Sequence, residues 1–262
     1  MIPSPTAPPI EPSLLEEATE IATAASQLTL DWYGRSDLMV DRKTDGSPVT
    51  DADRAAEQFV RDELARRHPH DGVIGEEFPN TEGSSGRRWI VDPIDGTQSF
   101  IRKVPLFSTL LAVEDQHGSA VGVIVLPALD EVVAAGRGRG CTWNGSPCRV
   151  STTPSLNGAL ITTSSFSNWP VANVAAFQGQ DAKLRTWGDA YGYALVATGR
   201  ADVMVDPEVE LYDVAAMPVI IGEAGGRFTA IDGRPGANHG SGLATNGGLH
   251  DDAVTNLSSL GA

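Results

Sequence analysis

Hydrophobic positions in the first part of the chain fall at helical intervals. Leu14, Leu15, Ala18, Ile21, Ala22, Ala25, Leu28 and Leu30 predict a helix over residues 13–33. A second helix is predicted over 51–67, "DADRAAEQFVRDELARR", with Ala55, Phe59 and Leu64 on its apolar side and Thr50 or Asp51 as cap. Two short apolar runs follow: residues 72–75 lead into Glu76-Glu77, and "RRWIV" ends at Asp92. Between Phe107 and Val150 the runs "FSTLLAVE", "SAVGVIVLP", "EVVAAGRG" and "CTWNGSPCRVS" are separated by Gly or Asn-Gly turns, which predicts an antiparallel meander. Beyond residue 151 strand and helix patterns alternate: "ALITTSS", then "PVANVAAF", "KLRTW", "AYGYALVATG" and "ADVMV". A helix near Asp213, strands "GRFTA" and "SGLATN" and a last helix "LHDDAVTNLSSL" complete the pattern. A meander followed by alternation predicts an α/β (α+β) chain of two subdomains, 1–150 and 151–262, with no clear linker between them.

Composition narrows the function. The 262 residues, 41% hydrophobic and 20% charged, suffice for a sizeable core. A formal net charge of −15 repels phosphate backbones and anionic lipid, which argues against nucleic-acid and membrane-surface partners. No apolar run approaches the ~18 residues that span a bilayer. The start, "MIPSPTAPPIEPS", lacks the basic and apolar stretches of a secretory signal, and its prolines predict a mobile lead-in. A cytoplasmic protein is expected. Cys141 and Cys148 flank the two-residue turn Asn144-Gly145 and should lie opposite each other, as small apolar residues of a strand pair rather than as a disulfide.

The informative residues are acids at strand ends. Glu76, Asp92 and Asp95 each follow an apolar run, where an unpaired buried carboxylate would be costly. At the C-terminal edge of a sheet such residues can converge on one crevice. Three carboxylates with no His or Cys ligand beside them suit a hard cation such as magnesium. Asp92 before Pro93 also reads as a turn cap, and Asp95 as a helix cap. Gly96 lets a backbone approach a ligand closely, and the amides from Gly96 and Thr97 onward can face an anion.

"GEE" at 75–77, "WIVDPIDGT" at 89–97 and "YDVAAMPVIIGEAGG" at 212–226 resemble the signature segments of the inositol monophosphatase family, and the resemblance runs from about Leu14 to Leu260. It implies a layered α/β/α/β/α sandwich with an antiparallel-rich first sheet and a mixed second sheet. It implies Mg2+-dependent, Li+-sensitive hydrolysis of small phosphate monoesters, with two to three Mg2+ ions and Mn2+ as a substitute. Glu76, Asp92, Asp95, Asp213 and the Ile94 carbonyl would be metal ligands. Gly96 and Thr97 would hold phosphate, and Asp53 and Thr97, with Glu76, would serve water activation. Taken alone, Asp53 reads rather as an ordinary helix-start acid, and Lys43 equally as an exposed loop lysine or as a residue near the metals. Relatives are often homodimers.

Gly188-Asp189, in "RTWGDAYGY", is similar to the histidinol-phosphate phosphatase branch, where inositol phosphatases carry Gly followed by Ser or Thr. Asp206 occupies the place of an acid that contacts the leaving group. An anionic pocket of Gly188, Asp189 and Asp206 suits an amine- or imidazole-bearing alcohol, so L-histidinol phosphate is the expected small-metabolite substrate. Asp189 also reads as the cap of the helix that follows. The chain departs from the family at Ser99, Ala190, Tyr191 and Tyr212, which leaves inositol, nucleotide and aminosugar phosphates as alternatives, and an idle phospho-ligand binder as a non-enzyme alternative. "GRGRGC" lies between strands and is no dinucleotide fingerprint, and His239 and His250 read as structural or surface residues.

Overall fold

The helical periodicity near the N-terminus forms α1 (Pro12–Leu30), which buries Ala18, Ile21, Ala22 and Ala25. It stops short of Tyr33, whose ring turns inward to lie 5.7 Å from Phe100 and 4.8 Å from Phe107, centroid to centroid. The computed structural model describes residues 7–42, 48–167 and 169–257, and Lys43 lies outside them. The proline-rich lead-in is pinned over the part described. Ile10 is buried, its N–H donates to the Arg137 carbonyl, and Arg137 Nε donates back to the Pro8 carbonyl.

A small antiparallel hairpin, β1 (Val40–Arg42) and β2 (Pro48–Thr50), precedes α2 (Asp51–Arg67). The hydrophobic pattern does not predict it, because β1 is exposed throughout. β3 (Gly72–Gly75) and β4 (Arg88–Asp95) come next, then one helical turn, α3 (Thr97–Ile101). β5 (Ser108–Asp115), β6 (Gly118–Leu126), β7 (Glu131–Gly136), β8 (Gly140–Trp143) and β9 (Ser146–Pro147) form the expected meander. Strands β3 to β9 make one seven-stranded sheet in chain order, antiparallel except for the β3–β4 pair. Asn144 and Gly145 both have positive φ, 48° and 76°, as a type I′ turn requires. Cys141 and Cys148 are free thiols facing each other with Sγ atoms 3.4 Å apart.

The second half contributes β10 (Leu160–Thr162), α4 (Val171–Gly179), β11 (Lys183–Arg185), α5 (Asp189–Ala197) and β12 (Val203–Asp206). It ends with α6 (Leu211–Val214), α7 (Met217–Glu223), β13 (Arg227–Thr229), β14 (Gly242–Thr245) and α8 (His250–Leu257). The single helix predicted near Asp213 is thus two, since Pro218 has no N–H to donate to Val214. The second sheet runs β11-β10-β12-β14-β13, parallel among the first three strands and antiparallel among the rest.

Five layers result. Helices α1 and α2 cover one face of the first sheet, where Ile21, Val60 and Leu64 meet Trp89, Leu111 and Val123. Its other face presents Ile90, Leu110 and Ile124 to Tyr193 of α5 and Ile220 of α7. The same two helices pack on Met204, Phe228 and Ala244 of the second sheet. Phe177 of α4 and Ala253 of α8 close that sheet's outer face over Val203, Val205 and Leu243. This is an α/β/α/β/α sandwich with an antiparallel-rich first sheet and a mixed second one. Among the described residues no helix is long and apolar enough to cross a membrane.

Candidate active site

Strand β4 does not end at Asp92; it continues to Asp95 through a bulge. Asp92 pairs with Leu110 and Asp95 with Ser108, so three steps on β4 match two on β5. Side chains three apart on a regular strand point to opposite faces. The extra residue puts Asp92 and Asp95 on the same side, as bulges beside active sites do. The Thr109 hydroxyl, donating to the Pro93 carbonyl at 2.8 Å, holds the bulge.

Asp213 arrives from the second half, in the first turn of α6. One of its oxygens accepts the Glu210 N–H at 2.8 Å, a capping bond that fixes the side chain. One carboxylate oxygen each of Asp92, Asp95 and Asp213 then lie within 4.8 Å of one another. They line a cavity of about 290 Å³ together with Pro48, Glu76, Ile94, Gly96, Thr97, Gln98 and Asp189. Asp95 Oδ2 accepts the Ala190 N–H of α5 at 2.7 Å and the Ser108 hydroxyl at 3.2 Å. A residue of the first sheet is thereby seated on the first turn of a helix from the second half.

Burial dominates the electrostatics. It pushes the carboxyls of Asp92 and Asp95 well above the usual range, and neighbouring acids add to it: Glu76, Asp95 and Asp213 around Asp92, Asp189 and Asp213 around Asp95. Burial likewise raises Asp213 to about 7, against the bond from Glu210 N–H and with Glu76 and Asp206 pushing further. Asp92 Oδ1 is buried with no hydrogen-bond partner. Acids packed this closely, with an orphaned oxygen and no neutralising base among the described residues that line the cavity, fit a hard divalent cation coordinated by oxygen.

The remaining expected residues divide. Asp53, buried in the first turn of α2, accepts the Thr50 N–H at 2.8 Å and the Thr50 hydroxyl at 2.6 Å through Oδ2, while Oδ1 has no partner. Burial raises it to about 6 despite those bonds. The Thr97 hydroxyl donates to the Ile94 carbonyl at 3.1 Å, so Asp53 and Thr97 each hold a local partner rather than each other. Asp189 makes no cap: Gly188 is the capping residue, and Asp189 takes the first helical position with φ 50°. Its Oδ2 would lie 3.1 Å from a Cβ added at Gly96. Asp206 is buried at the end of β12 outside the cavity wall, accepts Ser164 N–H at 3.0 Å, and is raised by burial to about 6. Gly188 lies in the packing beneath, where any side chain would collide with the Thr163–Ser164 backbone.

Sequence reasoning missed Ser164, whose hydroxyl accepts Asp189 N–H at 2.7 Å while its own N–H reaches Asp206. Nothing in the run "TTSS" marks it. His250 is structural as expected, buried between the hydroxyls of Thr229 and Thr245 at 3.0 Å each, and His239 bonds the Pro235 carbonyl.

The sequence profile of the inositol monophosphatase family matches residues 11–260. The chain belongs to that family. It is 42% identical over 249 residues, 92% of this chain and 96% of the relative, to a histidinol-phosphatase of Mycobacterium tuberculosis. A histidinol-phosphatase of Chlorobaculum parvum is 43% identical over 88% of this chain and 91% of its own length. Among solved structures, the extragenic suppressor protein suhB from Bartonella henselae superposes with a TM-score of 0.88 at 30% identity, covering 94% of this chain and 98% of that one. The Thermotoga maritima IMPase gives 0.86 at 30% identity over 95% and 98%. The inositol monophosphatase family is Mg2+-dependent, its phosphatase members act on small phosphorylated substrates, and this member is a phosphoric monoester hydrolase.

Proposed function

We propose that the chain hydrolyses L-histidinol phosphate to the alcohol and inorganic phosphate with Mg2+. The observation that carries it is the Asp92–Asp95–Asp213 cluster with a further acid, Asp189, on the wall of the same cavity. Glu76, Asp92, Asp95, Asp213 and the Ile94 carbonyl would hold two to three Mg2+ ions, with Mn2+ able to replace them and Li+ inhibitory. When bound, Mg2+ supplies Lewis acidity for the phosphoryl oxygens and lowers the pKa of water.

The chain's own groups do the rest. Thr97 and Gln98, as the first residues of α3, have N–H groups with no intrahelical acceptor, which suits them with Gly96 to hold phosphate oxygens. Asp53, near 6 with a free oxygen, is suited to orient the attacking water and accept its proton at neutral pH, aided by Thr97. Asp189 and Asp206, joined through Ser164 next to Gly188, give the leaving-group side a negative character. A cationic alcohol gains a charge-assisted contact there that a neutral polyol does not. The histidinol-phosphatase relatives support the same substrate.

Phosphate release is expected to stop with a chelator, return with Mg2+, and fall by several orders of magnitude in Asp95→Asn. Activity surviving in that variant would remove the metal assignment. A panel of histidinol phosphate, inositol phosphate and nucleoside monophosphates should favour the first, and Asp189→Asn should shrink that preference. An unchanged preference would sink the charge argument.

A further inference from the structure

Glu57 is a fully buried acid that the reaction outlined above leaves without a task. It lies one turn after Asp53 on α2 and one turn before Arg61, so the three share a face of the helix. Its Oε2 accepts the Glu77 N–H at 2.7 Å, and its Oε1 accepts the Phe78 N–H at 3.3 Å and Arg61 Nε at 2.8 Å. Arg61 reaches past it to donate to the Phe78 carbonyl at 3.1 Å and the Thr81 hydroxyl at 3.3 Å. The Arg61 guanidinium also lies 5.8 Å from the centroid of the Phe78 ring. On the other side of Glu76, a Cβ at Gly75 would run into the Glu57 carboxylate. The backbone just after Glu76 is therefore held by this pair of side chains, and just before it Glu57 packs so closely on Gly75 that no side chain fits there.

We infer that the Glu57–Arg61 pair is a positioning device that presents Glu76 to the cation site and sets its affinity. Apolar residues could anchor α2 at lower desolvation cost, since a buried ion pair adds little net stability. What the pair adds is direction: two amide donors and one guanidinium fix the turn's orientation, and Asp53, one turn earlier, is placed by the same helix. Groups that orient a metal ligand typically alter metal affinity by about ten- to hundred-fold when removed.

The inference rests on Glu76 being a metal ligand, and the test separates the two. Mn2+ binding to the full-length protein is measured by calorimetry, with thermal melting of each variant alongside. Glu57→Gln keeps one acceptor but turns an NH2 toward the donors of Phe78 or Arg61, and should weaken Mn2+ about tenfold or more. Its KM for substrate at saturating Mg2+ should stay near that of the wild type. In a Glu76→Gln background the same change should weaken binding no further. Wild-type affinity in a folded Glu57→Gln variant, or a full additional loss in the Glu76→Gln background, would overturn the positioning role. Arg61→Lys keeps the charge and loses the guanidinium fork; it should give a smaller weakening, and none at all would also count against the role. If the wild type binds no Mn2+, the metal reading itself falls, and the inference with it.

Discussion

At the scale of single residues, Gly96 is constrained by both its backbone conformation and its surroundings. Its φ of 81° lies in the left-handed region, and a Cβ there would sit 3.0 Å from the Leu106 carbonyl and 3.1 Å from Asp189. Gly96→Ala is therefore expected to cost about 1–2 kcal/mol of stability from backbone strain. It should also displace Asp189 and lower kcat/KM by much more than that loss implies. Thermal melting with a phosphate-release assay checks both, and unchanged turnover would show that Gly96 serves the turn alone. The glycine was legible in "DPIDGT". Its closeness to Asp189, far along the chain, was not.

At the scale of elements, α2 begins with a capping box whose acid is Asp53. The capping and catalytic readings of that residue coexist, because Oδ2 serves the cap and Oδ1 is left over. In Asp53→Asn the amide oxygen can keep both Thr50 bonds while the buried charge disappears. The folded-state pKa near 6, above the ordinary carboxyl value of 3.8, means that the charge opposes folding increasingly as pH rises from the ordinary carboxyl range, with the full penalty present above about 6. The metal-free variant should therefore melt at or above the wild-type temperature at pH 8. Its turnover should fall by about 10²–10⁴, the usual contribution of a general base. A variant that lost stability and kept activity would reverse the assignment. The bulge in β4 belongs to this scale too, since it decides where two acids point although each strand residue remains ordinary.

At the scale of the whole molecule, acids from both halves meet where the two sheets are bridged by α5 and α6. Without a cation their crowding is a liability with a definite sign. Asp53 and Asp206 near 6 and Asp213 near 7 bind protons more tightly folded than unfolded. Their penalty grows as pH rises from the ordinary carboxyl range and is complete above about 7. Buried His250, lowered to about 4, acts oppositely and loses stability as pH falls below about 6.5. Between pH 8 and 5.5 the several acids outweigh the one histidine. The metal-free protein should melt higher at pH 5.5 than at pH 8, and Mg2+ should raise the melting temperature more at pH 8, where no proton competes. Scanning calorimetry at the two pH values, with and without Mg2+, tests this, and a larger Mg2+ effect at pH 5.5 would contradict it.

The chain's linear pattern determined the long helices, the meander, the hairpin at Asn144-Gly145 and the acids of "DPIDGT", because periodicity, turn chemistry and strand-end polarity are local properties. It also carried the family signature, hence the fold and the reaction class. The rest depended on packing between segments far apart in sequence. Only the folded structure seats Asp95 on the Ala190 N–H, brings Asp213 beside it, links Asp189 to Asp206 through Ser164 and grips the turn around Glu76 with Glu57. A strand pattern alone would send Asp92 and Asp95 to opposite faces. The one-residue mismatch with β5 turns them to the same side, and a register between two strands exists only once both are paired.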